Sequence, residues 1–219
     1  MKPPLHVFHI GKTGGTALKD ALVEHRDDAA YEVLTHGHEV TLADVPVGEK
    51  YMFVLREPLS RFVSGFNGRL REDRPRYHYE WRDEEKVAFA RFKTPDALAT
   101  ALSSKDRSER RAAEDAMRGI GHVNTSYAYW FGTEKAFRRR LPDLFFIGFT
   151  DRLDEDFELL KPRLGLPPDA RLSGDETDAH RTPAGYETQL SDVGRQNLTR
   201  WYDWDVRFHR LCRELAAEM

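Results

Sequence analysis

The chain has 219 residues and a single cysteine, Cys212. That excludes a disulfide within the chain and a structural zinc site built on several thiolates. Cys212 falls in a helical pattern near the C-terminus and reads as a buried structural thiol. Long apolar runs are missing too. No stretch of about 18 apolar residues occurs, and none follows the opening Met1-Lys2-Pro3-Pro4, so neither a membrane-spanning helix nor a secretory leader is expected, and the expected location is cytoplasmic. Charge of one sign is not in excess: 34 Lys and Arg stand against 37 Asp and Glu, giving a net charge of -3. Bulk charge therefore argues against a nucleic-acid binder, and any anion site must come from local placement of cations. Carboxylate clusters at metal-ligand spacing are also lacking, so no metal is expected.

What is present suits a globular protein. Hydrophobic residues make up 40% and charged residues 32%, a balance that allows an ordinary core in one domain spanning 1–219. Apolar, β-forming runs at Leu5–Ile10, Tyr31–Leu34, Tyr51–Leu55 and Leu144–Phe149 predict strands. Helical spacing predicts helices over Thr16–His25, Leu59–Leu70 and Leu153–Leu164, the last closed by Gly165. Two or three short helices are expected between Glu84 and Phe131. A polar loop is expected over Leu172–Thr188, then a final helix from an N-cap at Ser191 to about Leu215. Strands alternating with helices imply an α/β, P-loop-like three-layer fold, a central mainly parallel sheet flanked by helices. Residues 71–131 read as a helical and loop insertion.

Two anion-binding patterns follow strands. Gly11-Lys12-Thr13-Gly14-Gly15-Thr16 lies between the first strand and the first helix. Glycines let backbone N–H groups turn toward a phosphate, the helix N-terminus adds partial positive charge, and Lys12, Thr13 and Thr16 add an ammonium and hydroxyls. The order is not Walker A, because the lysine precedes the glycines. Arg56-Glu57-Pro58-Leu59-Ser60-Arg61-Phe62-Val63-Ser64 follows the third strand. There a guanidinium and a hydroxyl, Arg56 and Ser64, suit a second phosphate, and Arg61 shares a helix face with Ser64.

Together these motifs resemble the sulfotransferases that use 3′-phosphoadenosine 5′-phosphosulfate (PAPS), most nearly the heparan sulfate 2-O-sulfotransferase and uronosyl group. Lys12 to Thr16 is similar to the family's 5′-phosphosulfate loop, and Arg56 with Ser64 to its 3′-phosphate motif. His36-Gly37-His38 is similar to that group's His-Gly-His. Phe146-Ile147-Gly148-Phe149-Thr150 with Leu153 resembles its strand-to-helix segment, and His180-Arg181-Thr182 its donor-clasping loop. The resemblance implies that Gly11, Lys12, Thr13, Gly14, Gly15, Thr16, Arg56, Ser64, Arg181 and Thr182 hold PAPS, with PAP (3′-phosphoadenosine 5′-phosphate) as product. The animal enzymes' membrane anchor and stalk have no counterpart, and residues 84–131 match nothing in the group.

A hydroxyl attacking sulfur must lose its proton, and histidine is the natural base near pH 7. The expected reaction is in-line sulfuryl transfer to a hydroxyl. His38 is the base, His36 orients the acceptor or supports His38, and Lys12 stabilises charge on the bridging oxygen. Arg69, Arg71, Arg74, Arg76 and Arg82 interleave with Tyr77, His78, Tyr79 and Trp81, which suggests an anionic saccharide as acceptor; a solvated basic loop is the competing reading. Arg138-Arg139-Arg140 reads as a solvated helix end. Two other functions fit the same residues: a nucleotide-dependent phosphotransferase on a P-loop-like fold, for which Glu57 is the one weak candidate acid, and a binding module that holds PAP or PAPS without catalysis.

Overall fold

The computed structural model describes residues 2–75, 77–172 and 185–219. In chain order the elements are β1 (Pro4–Val7), α1 (Gly15–Glu24), β2 (Glu32–Thr35), β3 (Lys50–Leu55), α2 (Pro58–Leu70), α3 (Asp83–Arg91), α4 (Pro95–Ala101) and α5 (Arg107–Gly119). There follow α6 (Ala128–Phe131), α7 (Glu134–Arg139), β4 (Leu144–Phe149), α8 (Leu153–Leu164), α9 (Asp192–Trp201) and α10 (Asp203–Ala217). The described chain divides into two compact units. A sheet unit takes residues 2–56, 127–172 and 208–219, and a helical unit takes 57–126 and 185–207.

The sheet unit is α/β. Its strands run in the order β2-β1-β3-β4 and every pairing is parallel. Register is set by burial: Val7 stands opposite Thr35 on one side and Met52 on the other. Alternate strand residues feed the two faces. Leu5, Val7, Met52 and Val54 pack with Leu18 and Leu22 of α1 and Phe157, Leu160 and Leu164 of α8. Phe8, Tyr51 and Phe53 face the other way, where ring contacts join Phe131, Phe137 and Phe208 into one aromatic layer. Helices thus cover both faces, as the near-continuous apolar strands predict. Gly165 closes α8 with φ 74, the left-handed conformation that glycine adopts most easily. Cys212 is fully buried, and burial raises its thiol well above the ordinary range.

The helical unit packs Phe62 and Phe66 of α2 against Phe89 of α3, Leu98 of α4, Met117 of α5 and Leu198 of α9. Pro58 opens α2, and the Glu57 carboxylate caps it by accepting from the N–H groups of Leu59 (3.1 Å) and Ser60 (2.7 Å). The one candidate magnesium acid is therefore a helix cap. Ser191 caps α9 as its pattern predicts, accepting from Gly194 N–H at 3.1 Å.

Four expectations need correction. β1 ends at Val7, so Phe8 to Ile10 already belong to the loop before α1. The segment between Glu84 and Phe131 carries α3, α4 and α5 plus the single turn α6, and α3 starts one residue earlier, at Asp83. The final helix is not continuous. It breaks at Tyr202, whose buried hydroxyl donates to Val123 O at 2.7 Å, and restarts with Asp203 and Asp205 in the first turn, where acidic residues are favoured. Lastly, the solvated helix end expected at Arg138-Arg139-Arg140 holds for two of the three, at the end of α7. Arg140 turns inward, donates to the carbonyls of Leu42, Val45 and Pro46, and pairs with Asp143 at 2.7 Å. Among the described residues, no helix is long and apolar enough to cross a membrane.

Candidate functional site

In the strand order β2-β1-β3-β4 the chain departs to opposite sides from β1 and β3. The carboxyl ends of those two strands flank the topological switch point, where open α/β sheets take their ligands. The loop after β1 and Arg56 after β3 both lie there, within the sheet unit.

The loop's conformation follows from its residues. Lys12 (φ 68) and Gly14 (φ 84) take left-handed backbone, and Thr13 between them does not. Alternation of this kind turns successive N–H groups toward one concave side. Thr13 is buried, and its hydroxyl donates to Ile10 O at 2.9 Å. That proton closes the loop, so the hydroxyl contact to an anion expected of Thr13 is replaced by what its backbone offers. Thr150 Oγ1 spans the carbonyls of Thr13 (2.6 Å) and Leu55 (3.1 Å), tying the loop to the ends of β3 and β4. The sequence pattern included Thr150 without assigning it this tie.

Gly14 and Gly15 have separate reasons to be glycine. A Cβ on Gly14 would lie 3.1 Å from Leu153 Cδ2 on a left-handed backbone, and one on Gly15 would lie 2.9 Å from the His9 ring. Gly14 is the N-cap of α1, with no side-chain cap and no acidic residue in the first turn. The first N–H groups of α1, with Thr16 among them, therefore keep their donor capacity and the helix keeps its positive end. Gly11 is buried at the start of the loop, and Lys12 Nζ is buried within it.

Arg56 is half-buried, and Tyr127 clamps its backbone: Arg56 N–H donates to the phenol oxygen (3.1 Å) and the phenol donates to Arg56 O (2.6 Å). Ser64 is buried in α2 of the helical unit. Arg61, on the same face, is also buried and donates to Thr125 O at 2.7 Å, which ties α2 to the loop after α5. Arg181 and Thr182, with His180, lie outside the described residues.

The two histidines after β2 are placed differently. His38 is exposed; its Nδ1 lies 2.6 Å from His9 O, and Trp130 Nε1 donates to His38 O at 2.9 Å. A carbonyl can only accept, so His38 Nδ1 carries the proton and Nε2 is the basic nitrogen of the neutral ring. His36 is half-buried, with Nε2 at 2.9 Å from His6 Nδ1, and His6 Nε2 is 2.7 Å from Glu49 Oε2. Sequence reasoning missed His6 and Glu49. The available signal was a histidine at an inward position of β1, where an apolar residue would be usual.

The His9 ring lies against His38, with centroids 4.3 Å apart and planes tilted by 42°. Burial, then the nearby His38, pushes its imidazole down from the ordinary 6.5 to about 4. Burial and the neighbouring His6 lower His36 as well, against an opposing pull from Glu39. Both rings are therefore neutral near pH 7. Among the described residues no His, Cys, Asp and Glu group of three or more is placed to hold a metal ion.

The basic and aromatic segment on the helical unit divides in two. Arg69 is buried and grips Glu85 through Nε (2.8 Å) and Nη2 (2.7 Å), and Asp73 through Nη1 (2.7 Å). Arg71 is buried and donates to Asn67 O and Arg74 O, and Arg82 donates to Gly119 O. Trp81 Nε1 donates to Arg69 O at 2.6 Å. These side chains build the loop instead of facing an acceptor. Tyr77 and Tyr79 remain exposed and stack with centroids 5.8 Å apart, beside exposed Arg74 and His78. Arg76 lies outside the described residues.

No protein-family model matches the chain, and neither a curated protein nor a solved structure matches it.

Proposed function

We propose that the protein is a PAPS-dependent sulfotransferase that moves a sulfuryl group to a hydroxyl by in-line transfer. One observation carries this reading. An uncapped helix N-terminus opens from a loop with alternating left-handed residues at the sheet's switch point, and a histidine with a defined basic nitrogen is hydrogen-bonded to that same loop.

The roles follow from chemistry. The backbone N–H groups from Lys12 to Thr16 cradle the 5′-phosphosulfate, and Lys12 places a cation among them. Gly11, Gly14 and Gly15 allow the close approach of backbone to ligand. Arg56 and Ser64 keep the 3′-phosphate roles that the resemblance implies, and Arg181 and Thr182 keep theirs in the clasp. His38 Nε2 takes the acceptor's proton as the new S–O bond forms. The bond from sulfur to the bridging oxygen breaks, the electron pair leaves with PAP, and Lys12 balances the charge that grows there. The His38–His9 O hydrogen bond holds the imidazole in the tautomer this step requires, the function that a second hydrogen bond serves in other histidine bases. Positioning and fixed dipoles supply the rest, and the scheme uses no metal.

The acceptor we assign is a carbohydrate. Support comes from the exposed Tyr77–Tyr79 stack, a flat apolar surface of the kind sugar rings cover.

Titration calorimetry with PAP, followed by labelled-sulfate transfer over a panel of saccharides, tests the reading. PAP binding and label on a saccharide hydroxyl are expected. Binding of ATP with magnesium and no binding of PAP would replace it with phosphotransfer. PAP binding without transfer to any acceptor would leave a binding module.

A further inference from the structure

Glu49, His6 and His36 come from three separate segments of the sheet unit: the turn before β3, the middle of β1, and the loop after β2. They meet in a line, Glu49 Oε2 to His6 Nε2 at 2.7 Å and His6 Nδ1 to His36 Nε2 at 2.9 Å. The two imidazoles lie edge to edge and nearly coplanar, with centroids 5.1 Å apart and planes 18° apart. His6 is buried at 7% exposure, in a layer that otherwise holds Phe8, Tyr51 and Phe53. A polar pair at such a position costs desolvation, which apolar residues of similar size would avoid, and the cost is recovered only when every member is satisfied.

Hydrogen-bond arithmetic fixes the protons. The Glu49 carboxylate can only accept, so His6 Nε2 donates. In the neutral ring His6 Nδ1 is then an acceptor, so His36 Nε2 donates to it. His36 is left with its lone pair on Nδ1, the opposite tautomer from His38.

We propose that Glu49 and His6 are positioning residues for His36, forming a carboxylate–imidazole–imidazole relay that fixes its tautomer and absorbs the charge when it takes a proton. The step balances. A proton arriving at His36 Nδ1 makes an imidazolium; its Nε2 proton can pass to His6 Nδ1, which then donates from both ring nitrogens. One positive charge is gained, it stays on the imidazole pair, and the Glu49 carboxylate that accepts from His6 Nε2 balances it while remaining ionised. His36 thus serves as a proton store, while Glu39 in its own loop, and His6 and Glu49 from the neighbouring segments, are the titratable groups around it. The use of that store in transfer rests on the sulfuryl-transfer reading; the tautomer and the relay do not.

Nitrogen-15 NMR of histidine-labelled protein tests the relay without an assay. At pH 7.5 the wild-type His6 and His36 are expected as Nε2–H tautomers and His38 as Nδ1–H. Glu49→Gln keeps an acceptor oxygen but removes the charge, so the tautomers should persist while the His36 midpoint falls by about one pH unit. The acid limb of the kcat profile should move with it, and PAP affinity should not. A His36 found as Nδ1–H in the wild type overturns the proposal, and that measurement needs no variant to fold. An unchanged His36 titration in folded Glu49→Gln overturns it too. A wild type with the expected tautomers that transfers no sulfate would refute the sulfuryl-transfer reading and leave the relay standing.

Discussion

In the proposed transfer His38 takes the acceptor's proton at Nε2, because its Nδ1 is tied to a carbonyl. His38→Ala should therefore bind PAP as the wild type does and lose about 10²- to 10⁴-fold in kcat. Calorimetry beside a transfer assay checks both halves, and near-wild-type turnover would remove His38 from the base role. His9 makes a second prediction. Its imidazole sits at about 4 in the folded protein against an ordinary 6.5. Between those values the unfolded chain holds a proton that the folded chain does not, so stability rises with pH through that window. Thermal melts should show Tm falling as pH drops from 6.5 toward 4, with a shallower fall in His9→Gln. At this scale the sequence was informative about the backbone, since Gly14 takes the left-handed conformation that a glycine turn before α1 calls for. It was silent where the role is a contact across the fold. Nothing local marks His6 and Glu49 as partners, since 43 positions separate them. Nothing local shows that the Thr13 hydroxyl turns back to Ile10.

Elements were legible where the apolar period was clean. β4 and α8 lie where their patterns put them, and Gly165 stops α8 with the predicted backbone. The break between α9 and α10 was hidden because helical spacing runs through it; the two aspartates around Trp204 were the signal of a new helix start. Arg69 at the end of α2 and Arg71 just beyond it are buried, and were misjudged for a related reason. Spacing cannot tell an arginine that faces solvent from one that folds under its own loop. Arg69 is of the second kind. Burial alone would raise the Glu85 carboxyl, but hydrogen bonds from Arg69 and from the N–H groups of Gly121 and Arg82 outweigh it and hold Glu85 at about 2. Arg69→Met leaves that carboxylate buried without its cation. The expected loss is about 3–5 kcal/mol in urea unfolding, as for other buried pairs broken on one side. A change below about 1 kcal/mol would mean that the pair is replaceable, a value typical of exposed ion pairs.

For the whole molecule, the strand–helix alternation gave an α/β fold with a parallel sheet, and the structure has one. The partition into a sheet unit and a helical unit was not legible, because the helical unit recruits a distant segment of the chain, 185–207. A ligand that binds only the folded state raises its stability by mass action. PAP at 100 times its Kd should add about 2.7 kcal/mol to unfolding, read as a higher Tm, and EDTA should leave the increment intact. An increment that needs magnesium would point back to a nucleotide phosphotransferase.

The hydrogen bond between His38 and residue 9 has a consequence for how the protein tolerates change. Its acceptor is main chain, so no side-chain replacement at position 9 deletes it. In a saturation library, position 38 should be intolerant while position 9 is filtered mainly for size, because its side chain sits against Gly15. The ring's orientation is thus decoupled from the identity of the side chain at position 9, and only changes that reroute the loop itself can uncouple the two.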